Sequence, residues 1–359
     1  MTTTRTVLVA GGGSAGHVSP MLATAEALVR DNDDIRVIAL GTAAGLEADL
    51  VPDAGFELLT IDKVPFPRRP NLDALRFPGR LAAQIRTVRR LLREHDVRAI
   101  AGFGGYVCPP AYLAGAAARI PLIIHEANKR PGLANRLGAR IARIVATAFE
   151  GSTLPKAVRI GMPMRRGIAH LDRAALRAEA LEHFGLAPDR PTLLVTGGSL
   201  GAQRLNAAIG ATAQEIAQTG AQILHITGRG KSFPVEAEHY RQVEYVTRME
   251  LAYAAADLAV TRSGAGTVSE LTAVGLPAVY VPLPIGNGEQ ALNGQDVVDA
   301  GGALMVHDAD FTADAVRSTV IPLLADDARR TEMARAARGF GITDAAEALA
   351  DLIRGEIRR

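Results

Sequence analysis

The sequence contains little cysteine and few aromatic residues. Cys108 is the single cysteine among 359 residues, tryptophan is absent, and aromatic side chains make up 4% of the chain. One cysteine excludes an internal disulfide framework and a zinc site built from several cysteines, and it is typical of a reducing compartment. We predict that Cys108 is a small packed residue and not a nucleophile.

Long apolar segments are also missing. No run approaches about 18 apolar residues, the length of a membrane-spanning helix, and residues 1–6 lack the basic-then-apolar pattern of a signal peptide. We therefore expect a cytoplasmic protein in which any membrane contact is peripheral. Nucleic-acid binding is disfavoured because aromatic residues are sparse, no RNA or DNA motif occurs, and the formal net charge is only +2.

Glycine and aliphatic residues are abundant. The chain has 36 glycines, and 48% of its residues are hydrophobic while 22% are charged, a balance typical of globular proteins. At roughly 100–200 residues per domain, the length predicts two domains. Up to Pro163 there are 21 Lys and Arg against 14 Asp and Glu, which leaves 19 against 24 in the rest. The near-neutral total is therefore the sum of a basic part and an acidic part.

Two segments start with the same pattern, an apolar strand that leads into a glycine-rich turn and a helix. The strands are Thr6–Ala10 and Thr192–Thr196, the turns Gly11–Gly16 and Gly197–Gly201, and the helices begin near Pro20 and at Gln203. Further apolar runs are predicted as strands: Ile35–Leu40, Ala99–Gly102, Leu122–His125, Ile144–Thr147, Ile223–Thr227, Val243–Tyr245, Leu258–Thr261, Ala278–Val281 and Ala303–Val306. Strands that alternate with helices indicate an α/β fold whose parallel sheets are covered on both faces.

The repeated pattern predicts two Rossmann-like domains. Glycine and proline interrupt the helical and the strand periodicity in GMPMRRG, Gly161–Gly167. This segment therefore indicates the boundary between the two domains. We assign residues 1–163 to an N-terminal domain and residues 164–342 to a C-terminal domain. The tail, residues 343–359, is predicted to be helical and to pack back on the N-terminal domain.

The first glycine turn matches the dinucleotide fingerprint G-x-G-x-x-G at Gly11, Gly13 and Gly16. Such a turn suits any phosphate ligand, because glycine lets the backbone approach and the helix N-terminus offers N–H groups. A nicotinamide cofactor also needs an acidic residue at the end of the second strand, and here that strand ends in Ala39-Leu40-Gly41-Thr42. A nicotinamide oxidoreductase is therefore a disfavoured alternative.

Two polar clusters follow predicted strands at their carboxyl ends, where α/β folds bind ligands. His17 starts the first helix, where a positive helix end favours the neutral imidazole that a general base needs. The alternative for His17 is a structural role. His125-Glu126-Ala127-Asn128 closes another strand, and the alternative for Asn128 is a capping role.

A third cluster follows the strand Leu258–Thr261. The small residues of Arg262–Glu270 open a helix whose N-terminus suits a diphosphate, and Glu270 suits the two hydroxyls of a ribose. A first-turn glutamate that interacts with the helix dipole is the alternative for Glu270. Downstream, Pro282–Gln295 is a loop rich in Gly, Pro and Asn, which is suited to a polyhydroxylated ligand.

Several blocks in this order resemble the MurG family of peptidoglycan N-acetylglucosaminyltransferases, which have the two-domain GT-B fold. The blocks cover nearly the whole chain: GGGSAGHVSP at Gly11–Pro20, LGTAAGLEADLVP at Leu40–Pro52, GFGGYV at Gly102–Val107, HEAN at His125–Asn128, GMPMR at Gly161–Arg165, GGSLGAQRLN at Gly197–Asn206, RSGAGTVSE at Arg262–Glu270, and GLPAVYVPLP…EQALN at Gly275–Asn293.

The resemblance implies two Rossmann-like domains that face a central cleft. It implies the transfer of N-acetylglucosamine from UDP-N-acetylglucosamine to lipid I, which gives lipid II and UDP, with the nucleotide sugar on the C-terminal domain. The donor-binding residues that it implies are Ser14, Ala15, Gly16, Asn128, Arg165, Ser199, Val246, Ala265, Gly266, Thr267, Val268, Ser269, Glu270 and Gln290. Val246 would line the uracil pocket, and Gln290 would contact the donor sugar.

The chain departs from the family pattern at a few of these positions. Ser14 stands where Thr is frequent, and its hydroxyl keeps the chemistry. Ala15 stands where Gly is frequent, and Leu200 and Ala127 replace frequent glutamines. Glu289 replaces the first residue of a common glutamine pair, which is why the sugar contact is assigned to Gln290 alone.

We expect a single inverting displacement with His17 as the base and Glu126 as second choice. The helix N-terminus near Gly264–Thr267 and Arg165 would stabilise the leaving diphosphate. No metal and no other cofactor are predicted, since backbone dipoles and arginine supply the positive charge and no Asp-x-Asp pair occurs.

The segment Lys63–Arg93 predicts peripheral binding to an anionic membrane on the cytoplasmic side. It holds nine basic residues and one acid, with Phe66, Leu72, Leu75, Phe77, Leu81 and Ile85 interleaved. An ordinary solvated helix is the alternative. Other cell-wall synthesis and division proteins are further expected partners. Two other functions stay open: another GT-B glycosyltransferase acting on a glycolipid or natural product, and a non-catalytic sugar-nucleotide binding module.

Overall fold

The computed structural model describes residues 4–30, 32, 34–67, 72–198, 202–231 and 234–358. They form two compact units. Unit 1 is Met1–Arg165 together with Asp344–Arg359, and unit 2 is Arg166–Thr343. Each unit is built around one parallel β-sheet, which confirms the predicted pair of parallel-sheet α/β domains.

Unit 1 has seven strands and helices on both faces of its sheet. The strands are β1 (Arg5–Gly11), β2 (Ile35–Gly41), β3 (Glu57–Thr60), β4 (Val97–Gly104), β5 (Leu122–Glu126), β6 (Ile144–Thr147) and β7 (Ala157–Arg159). The helices are α1 (Ala15–Val29), α2 (Glu47–Asp53), α3 (Leu72–Glu94), α4 (Cys108–Ala118), α5 (Leu133–Gly138) and, from the C-terminal segment, α15 (Ala345–Ile357). The strands lie in the order β3-β2-β1-β4-β5-β6-β7.

The central strand β1 shows why the sheet has helices on both faces. Its apolar run is continuous, and successive side chains point to opposite sides. Val7 and Val9 pack into a core with α1 and α15, whereas Leu8 and Ala10 pack into a second core with α3 and α4. All four side chains are 0–1% exposed. The segment therefore forms a strand that is buried on both faces.

Unit 2 repeats this architecture with six strands. They are β8 (Thr192–Thr196), β9 (Gln222–Ile226), β10 (Tyr240–Val243), β11 (Leu258–Thr261), β12 (Ala278–Tyr280) and β13 (Ala303–Met305), in the order β10-β9-β8-β11-β12-β13. The helices are α6 (Arg166–Ala169), α7 (Arg173–Phe184), α8 (Gln203–Gln218), α9 (Met249–Ala255), α10 (Ala265–Val274), α11 (Glu289–Asp299), α12 (Ala313–Ala315), α13 (Ile321–Ala325) and α14 (Asp327–Arg338). A π-helical turn, Val316–Val320, joins α12 to α13.

The strand order reverses direction once in each sheet. In unit 1 the reversal lies between β1 and β4, and in unit 2 it lies between β8 and β11. Ligands of open α/β sheets bind outside the carboxyl ends of the strands at such a point. The glycine-rich turn after β1 and the segment after β11 both lie at one of these reversals.

Five local features differ from the sequence-based expectation. Strand β10 is Tyr240–Val243 and shares only Val243 with the predicted Val243–Tyr245. Helix α11 begins at Glu289, inside the predicted loop Pro282–Gln295. Helix α1 begins at Ala15, five residues before Pro20, so Pro20 lies inside the helix, where it has no N–H to donate to the carbonyl oxygen of Gly16. Strands β3 and β7 were not predicted. They are edge strands of four and three residues with exposed positions, so they lack the buried apolar run that marks the others.

Cys108 is fully buried at the start of α4, as predicted for a packed residue. Its Sγ lies 3.2 Å from the carbonyl oxygen of Ala10 and 3.1 Å from that of Gly104, and burial raises the pKa of the thiol to about 11. Such a thiol is not a nucleophile at neutral pH. In the described part of the chain, no helix has the length and apolar character to cross a bilayer.

Candidate active site

The glycine-rich turn after β1 places His17 at the carboxyl edge of the unit 1 sheet. Ser14 is the N-cap of α1, and Ala15, Gly16 and His17 form the first turn of that helix. Ser14 and Gly16 are exposed, while His17 is half-buried. Ser14, Ala15, Gly16 and His17 therefore lie together at the point where the strand order reverses, between β1 and β4.

Hydrogen bonds define the orientation of the His17 ring. Nδ1 of His17 lies 3.0 Å from the carbonyl oxygen of Gly12 and 3.2 Å from Oγ of Ser14. A carbonyl oxygen only accepts, so Nδ1 carries the proton in this arrangement and Nε2 of the neutral ring holds the lone pair. The ring lies against Gly104 at the end of β4, where a Cβ would come within 2.9 Å of Nε2. This tautomer is the one that a general base acting through Nε2 requires.

Glu126 and Asn128 follow β5 at the same edge, but the Glu126 carboxylate is already occupied. One oxygen accepts from the backbone N–H of Asn128 at 2.9 Å. The other accepts from the N–H of Gly132 and from Nδ2 of Asn135, both at 3.0 Å. Glu126 is 3% exposed. These bonds hold the turn between β5 and α5, so the geometry favours His17 over Glu126 as the base.

A cavity of about 470 Å³ opens beside the glycine-rich turn, within unit 1. Gly12 and Gly13 line one side, and Lys63 lies on another side with its Nζ 4.6 Å from the centroid of the Tyr106 ring. Thr42, Thr60, Gln84 and Thr87 contribute further polar groups. Two carboxylates, Glu47 and Asp62, also line the cavity, which therefore offers one cation, two anions and several neutral hydrogen-bonding groups.

In unit 2, α10 begins directly after the strand that lies at the sheet reversal. Its N-cap is Gly264, which has no side chain to accept from the N–H groups of the first turn, Ala265–Thr267. Val268 is buried, and Ser269 and Glu270 are half-buried. The carboxylate of Glu270 accepts a hydrogen bond of 2.6 Å from the hydroxyl of Tyr253 on α9. An anion placed at this helix end would meet these N–H groups, and the Glu270 carboxylate lies about one turn further along the helix.

Arg262 stabilises the loop that leads into α10. Its Nη1 donates to the carbonyl oxygen of Val281 at 2.9 Å and lies 2.6 Å from Oδ1 of Asp308. The other oxygen of Asp308 accepts from Nε of Arg204 at 3.0 Å. These bonds join the ends of β11 and β12 to the first turn of α8, so the loops at this edge hold one another in place.

The other predicted site residues that the structure describes lie in loops or at helix ends. Oε1 of Gln290 accepts from the N–H of Leu283 at 3.0 Å, while Oε2 of Glu289 accepts from the N–H of Asn287. Val246 is 8% exposed, between β10 and α9. Arg165 is exposed just before α6. Ser199 lies outside the described residues.

The sequence did not reveal the residues that support this site. Tyr253 and Asp308 contact predicted site residues or their loops, but they are far from them along the chain and belong to no motif. Arg204 lies in the block Gly197–Asn206 but had no assigned role. Glu47 stood in a recognised block without an assigned role. Only contacts in the folded chain identify these residues. No group of three or more His, Cys, Asp or Glu side chains in the described ranges is placed to hold a metal ion.

Comparison with known proteins places this architecture in a family. Models described as the glycosyltransferase family 28 N-terminal and C-terminal domains match residues 7–147 and 192–349. A protein of Paenarthrobacter aurescens (strain TC1) is 53% identical over 97% of this chain and 95% of its own length. One of Leifsonia xyli subsp. xyli (strain CTCB07) is 54% identical over 97% of each chain.

Both relatives are named UDP-N-acetylglucosamine--N-acetylmuramyl-(pentapeptide) pyrophosphoryl-undecaprenol N-acetylglucosamine transferase. Among solved structures, MurG of Acinetobacter baumannii is similar with a TM-score of 0.79 and 27% identity, over 98% of this chain and 99% of that one. The chain therefore belongs to glycosyltransferase family 28, and within it to the MurG family of GT-B glycosyltransferases.

Proposed function

We propose that this chain transfers N-acetylglucosamine from UDP-N-acetylglucosamine to the 4-hydroxyl of the N-acetylmuramoyl group of lipid I. The products are lipid II and UDP. One observation carries the proposal: the chain is 53% identical, over nearly its whole length and theirs, to enzymes that are named for this transfer. Peptidoglycan synthesis, and through it cell shape and division, is the process that the reaction serves.

The chemistry is a single displacement with inversion. The acceptor oxygen attacks the anomeric carbon of N-acetylglucosamine while the bond from that carbon to the UDP oxygen breaks. Nε2 of His17 takes the proton of the attacking hydroxyl, and the bonding electrons leave with the diphosphate. The His17 geometry supports this role, because Nδ1 is held by the Gly12 carbonyl and Nε2 is the basic nitrogen.

Unit 2 is the proposed site for the nucleotide sugar. The N–H groups that begin α10 and the guanidinium of Arg165 stabilise the charge that develops on the diphosphate. Glu270, oriented by Tyr253, accepts from the ribose hydroxyls. Val246 lines the uracil pocket, and Gln290 contacts the sugar. Ser14, Ala15, Gly16, Asn128 and Ser199 complete the proposed donor contacts.

Unit 1 is the proposed site for the acceptor and the membrane. The cavity beside the glycine-rich turn is lined by a lysine, two carboxylates and several hydroxyl and amide groups, which suit a polyhydroxylated acceptor. Arg76, Arg80, Arg86 and Arg89 are exposed along α3. Basic residues on one helix attract an anionic bilayer surface.

Exposed apolar side chains lie among these arginines. Leu75 is 79% exposed and Phe66 is 63% exposed, and the Phe66 ring contacts that of Phe77 at 5.4 Å between centroids. Ile85 instead packs against the core, so it is not part of this surface. Arg68 and Arg69 lie outside the described residues, and the Leu72 side chain is likewise not described. We propose peripheral attachment to the cytoplasmic side of the cell membrane through α3.

A donor and acceptor exchange tests the proposed function. We expect UDP release from UDP-N-acetylglucosamine only when lipid I or a short-chain analogue is present, and we expect UDP, but not NADH, to raise the melting temperature. UDP release with an unrelated glycolipid but not with lipid I would indicate a different GT-B transferase. Thermal stabilisation by UDP with no transfer to any lipid acceptor would indicate a binding module.

A further inference from the structure

We propose that Glu47 is a positioning residue for His17, and that it acts through the peptide group between Gly12 and Gly13. The proposal deepens the proposed function and rests on it for the catalytic role of His17. The hydrogen-bonded connection between the two side chains is independent of that role, and it is tested separately below.

Glu47 is the first residue of α2, and its side chain is completely buried. Three glycines surround it. A Cβ on Gly12 would lie 2.5 Å from Oε1 of Glu47, one on Gly41 would lie 2.5 Å from its Cγ, and one on Gly45 would overlap the carboxylate. The glycines of two separate turns thus leave the space that this carboxylate fills.

Three donors from two turns bind the carboxylate. Oε2 accepts from the backbone N–H of Gly13 at 2.9 Å. Oε1 accepts from the N–H of Thr42 at 3.0 Å and from its hydroxyl at 2.7 Å. Burial acts to raise the pKa of Glu47, but these hydrogen bonds outweigh it and the pKa is lowered. A buried, ionised carboxylate therefore ties the turn after β1 to the turn after β2.

The bond to Gly13 reaches His17 through one peptide group. The N–H that donates to Glu47 and the carbonyl oxygen that accepts from Nδ1 of His17 belong to the same unit, the peptide between Gly12 and Gly13. In a trans peptide these two groups point in opposite directions, and the described residues contain no cis peptide bond. Hydrogen bonds in such a chain polarise one another.

The consequence for His17 is a fixed orientation and a fixed tautomer. Glu47 holds the Gly12–Gly13 peptide so that its carbonyl oxygen faces Nδ1, and this keeps the proton on Nδ1 and the lone pair on Nε2. A carboxylate plays the same part in a catalytic triad by a direct bond to histidine. In this chain the peptide between Gly12 and Gly13 lies between the carboxylate and the histidine and forms a hydrogen bond with each.

The substitution Glu47→Gln separates this role from simple packing. The amide has nearly the same shape, but it has one acceptor oxygen and one NH₂ group. If its oxygen faces Gly13, the NH₂ group opposes the N–H of Thr42, and if it is turned around, the NH₂ group opposes the N–H of Gly13. Either orientation weakens the connection between the two turns. Glu57→Gln is the matched control, because Glu57 lies at the amino end of β3 in an exposed ion pair with Arg36.

We expect Glu47→Gln to lower kcat about 10–100-fold with little change in the KM for the donor. This is the range found when the outer partner of a metal-bound histidine is removed, which is the nearest measured case. UDP binding should stay unchanged and so report that the chain is folded. Wild-type kcat in Glu47→Gln, or an equal loss in Glu57→Gln, would overturn the proposal.

A spectroscopic measurement on the unsubstituted protein remains decisive if Glu47→Gln does not fold. In ¹⁵N-histidine-labelled protein, with His17→Ala used to assign the signals, the neutral His17 ring should have its proton on Nδ1. A proton on Nε2, or rapid averaging of the two tautomers, would contradict the connection. If the tautomer is as expected but no transfer to lipid I occurs, the proposed function fails while the Glu47–His17 connection stands.

Discussion

At the scale of single residues, the site depends on groups that orient other groups. His17 is held by the Gly12 carbonyl, and Glu270 is held by the hydroxyl of Tyr253. Each bond fixes one side chain at the carboxyl edge of its own sheet. The roles proposed for them, a general base and a ribose-binding carboxylate, both need a defined orientation, since misplacement of about 1 Å lowers the rate strongly.

Replacement of His17 tests the proposed base. We expect His17→Ala to lower kcat by about 10²–10⁴, the contribution of a general base, while the Kd for UDP changes little because the N-terminus of α10 is untouched. Steady-state transfer assays and calorimetric titration with UDP measure the two quantities. His170→Ala is the control, since His170 is exposed just after α6. Unchanged turnover in His17→Ala would remove this residue from the mechanism.

At the scale of elements, the long buried strands could be predicted and the short edge strands could not. An apolar run such as Thr6–Ala10 fills two cores and so shows its burial in the sequence, whereas Ala157–Arg159 pairs at an edge and does not. The glycine turns also indicated where ligands bind. The hydrogen bond from Gly13 to Glu47 was not predictable, because the two residues are 34 positions apart and no periodic signal links them.

Helix α3 is the element that we propose binds the membrane. Each basic residue near an anionic surface contributes about 1 kcal/mol, so Arg76→Gln with Arg80→Gln should weaken binding about 30-fold. Co-sedimentation with vesicles that contain phosphatidylglycerol measures the effect. The matched control replaces two exposed arginines of α14, Arg329 and Arg335. Equal loss in both pairs, or binding that ignores anionic lipid and salt, would argue against this surface.

A buried histidine on strand β9 predicts that the stability of unit 2 depends on pH. His225 is completely buried, and its Nδ1 lies 2.6 Å from the hydroxyl of Tyr240 while its Nε2 lies 3.1 Å from Oδ1 of Asn206. Burial lowers the pKa of His225 from 6.5 to about 4. The neutral ring therefore stabilises the fold fully above about pH 6.5, and this stability is lost as the pH falls toward 4.

Unit 2 should accordingly lose about 2 kcal/mol through His225 between pH 7 and pH 5. Hydrogen exchange of the β8 and β9 amides at the two pH values measures the free energy of opening. In His225→Gln that pH-dependent loss should be smaller by the same amount, whereas His183→Gln, at an exposed position on α7, should behave like the parent. An identical pH response in His225→Gln would show that this histidine does not carry the effect.

At the scale of the whole molecule, two similar parallel-sheet units carry different charges. The segment up to Pro163 has a net charge of +7 and the remainder −5, although the total is only +2. The basic part contains the proposed acceptor and membrane surface, and the acidic part contains most of the proposed donor site. The whole-chain charge alone therefore argues against nucleic acid as a partner but conceals the basic segment that we propose binds anionic lipid.

The most direct test of the account is the product formed from UDP-N-acetylglucosamine and lipid I. We predict a lipid-linked disaccharide in which N-acetylglucosamine is attached to the 4-hydroxyl of the N-acetylmuramoyl group, with the anomeric configuration opposite to that in the donor. One equivalent of UDP should appear for each linkage. Mass spectrometry and NMR of the product decide the matter. No lipid product, attachment at another hydroxyl, or retained configuration would contradict the account.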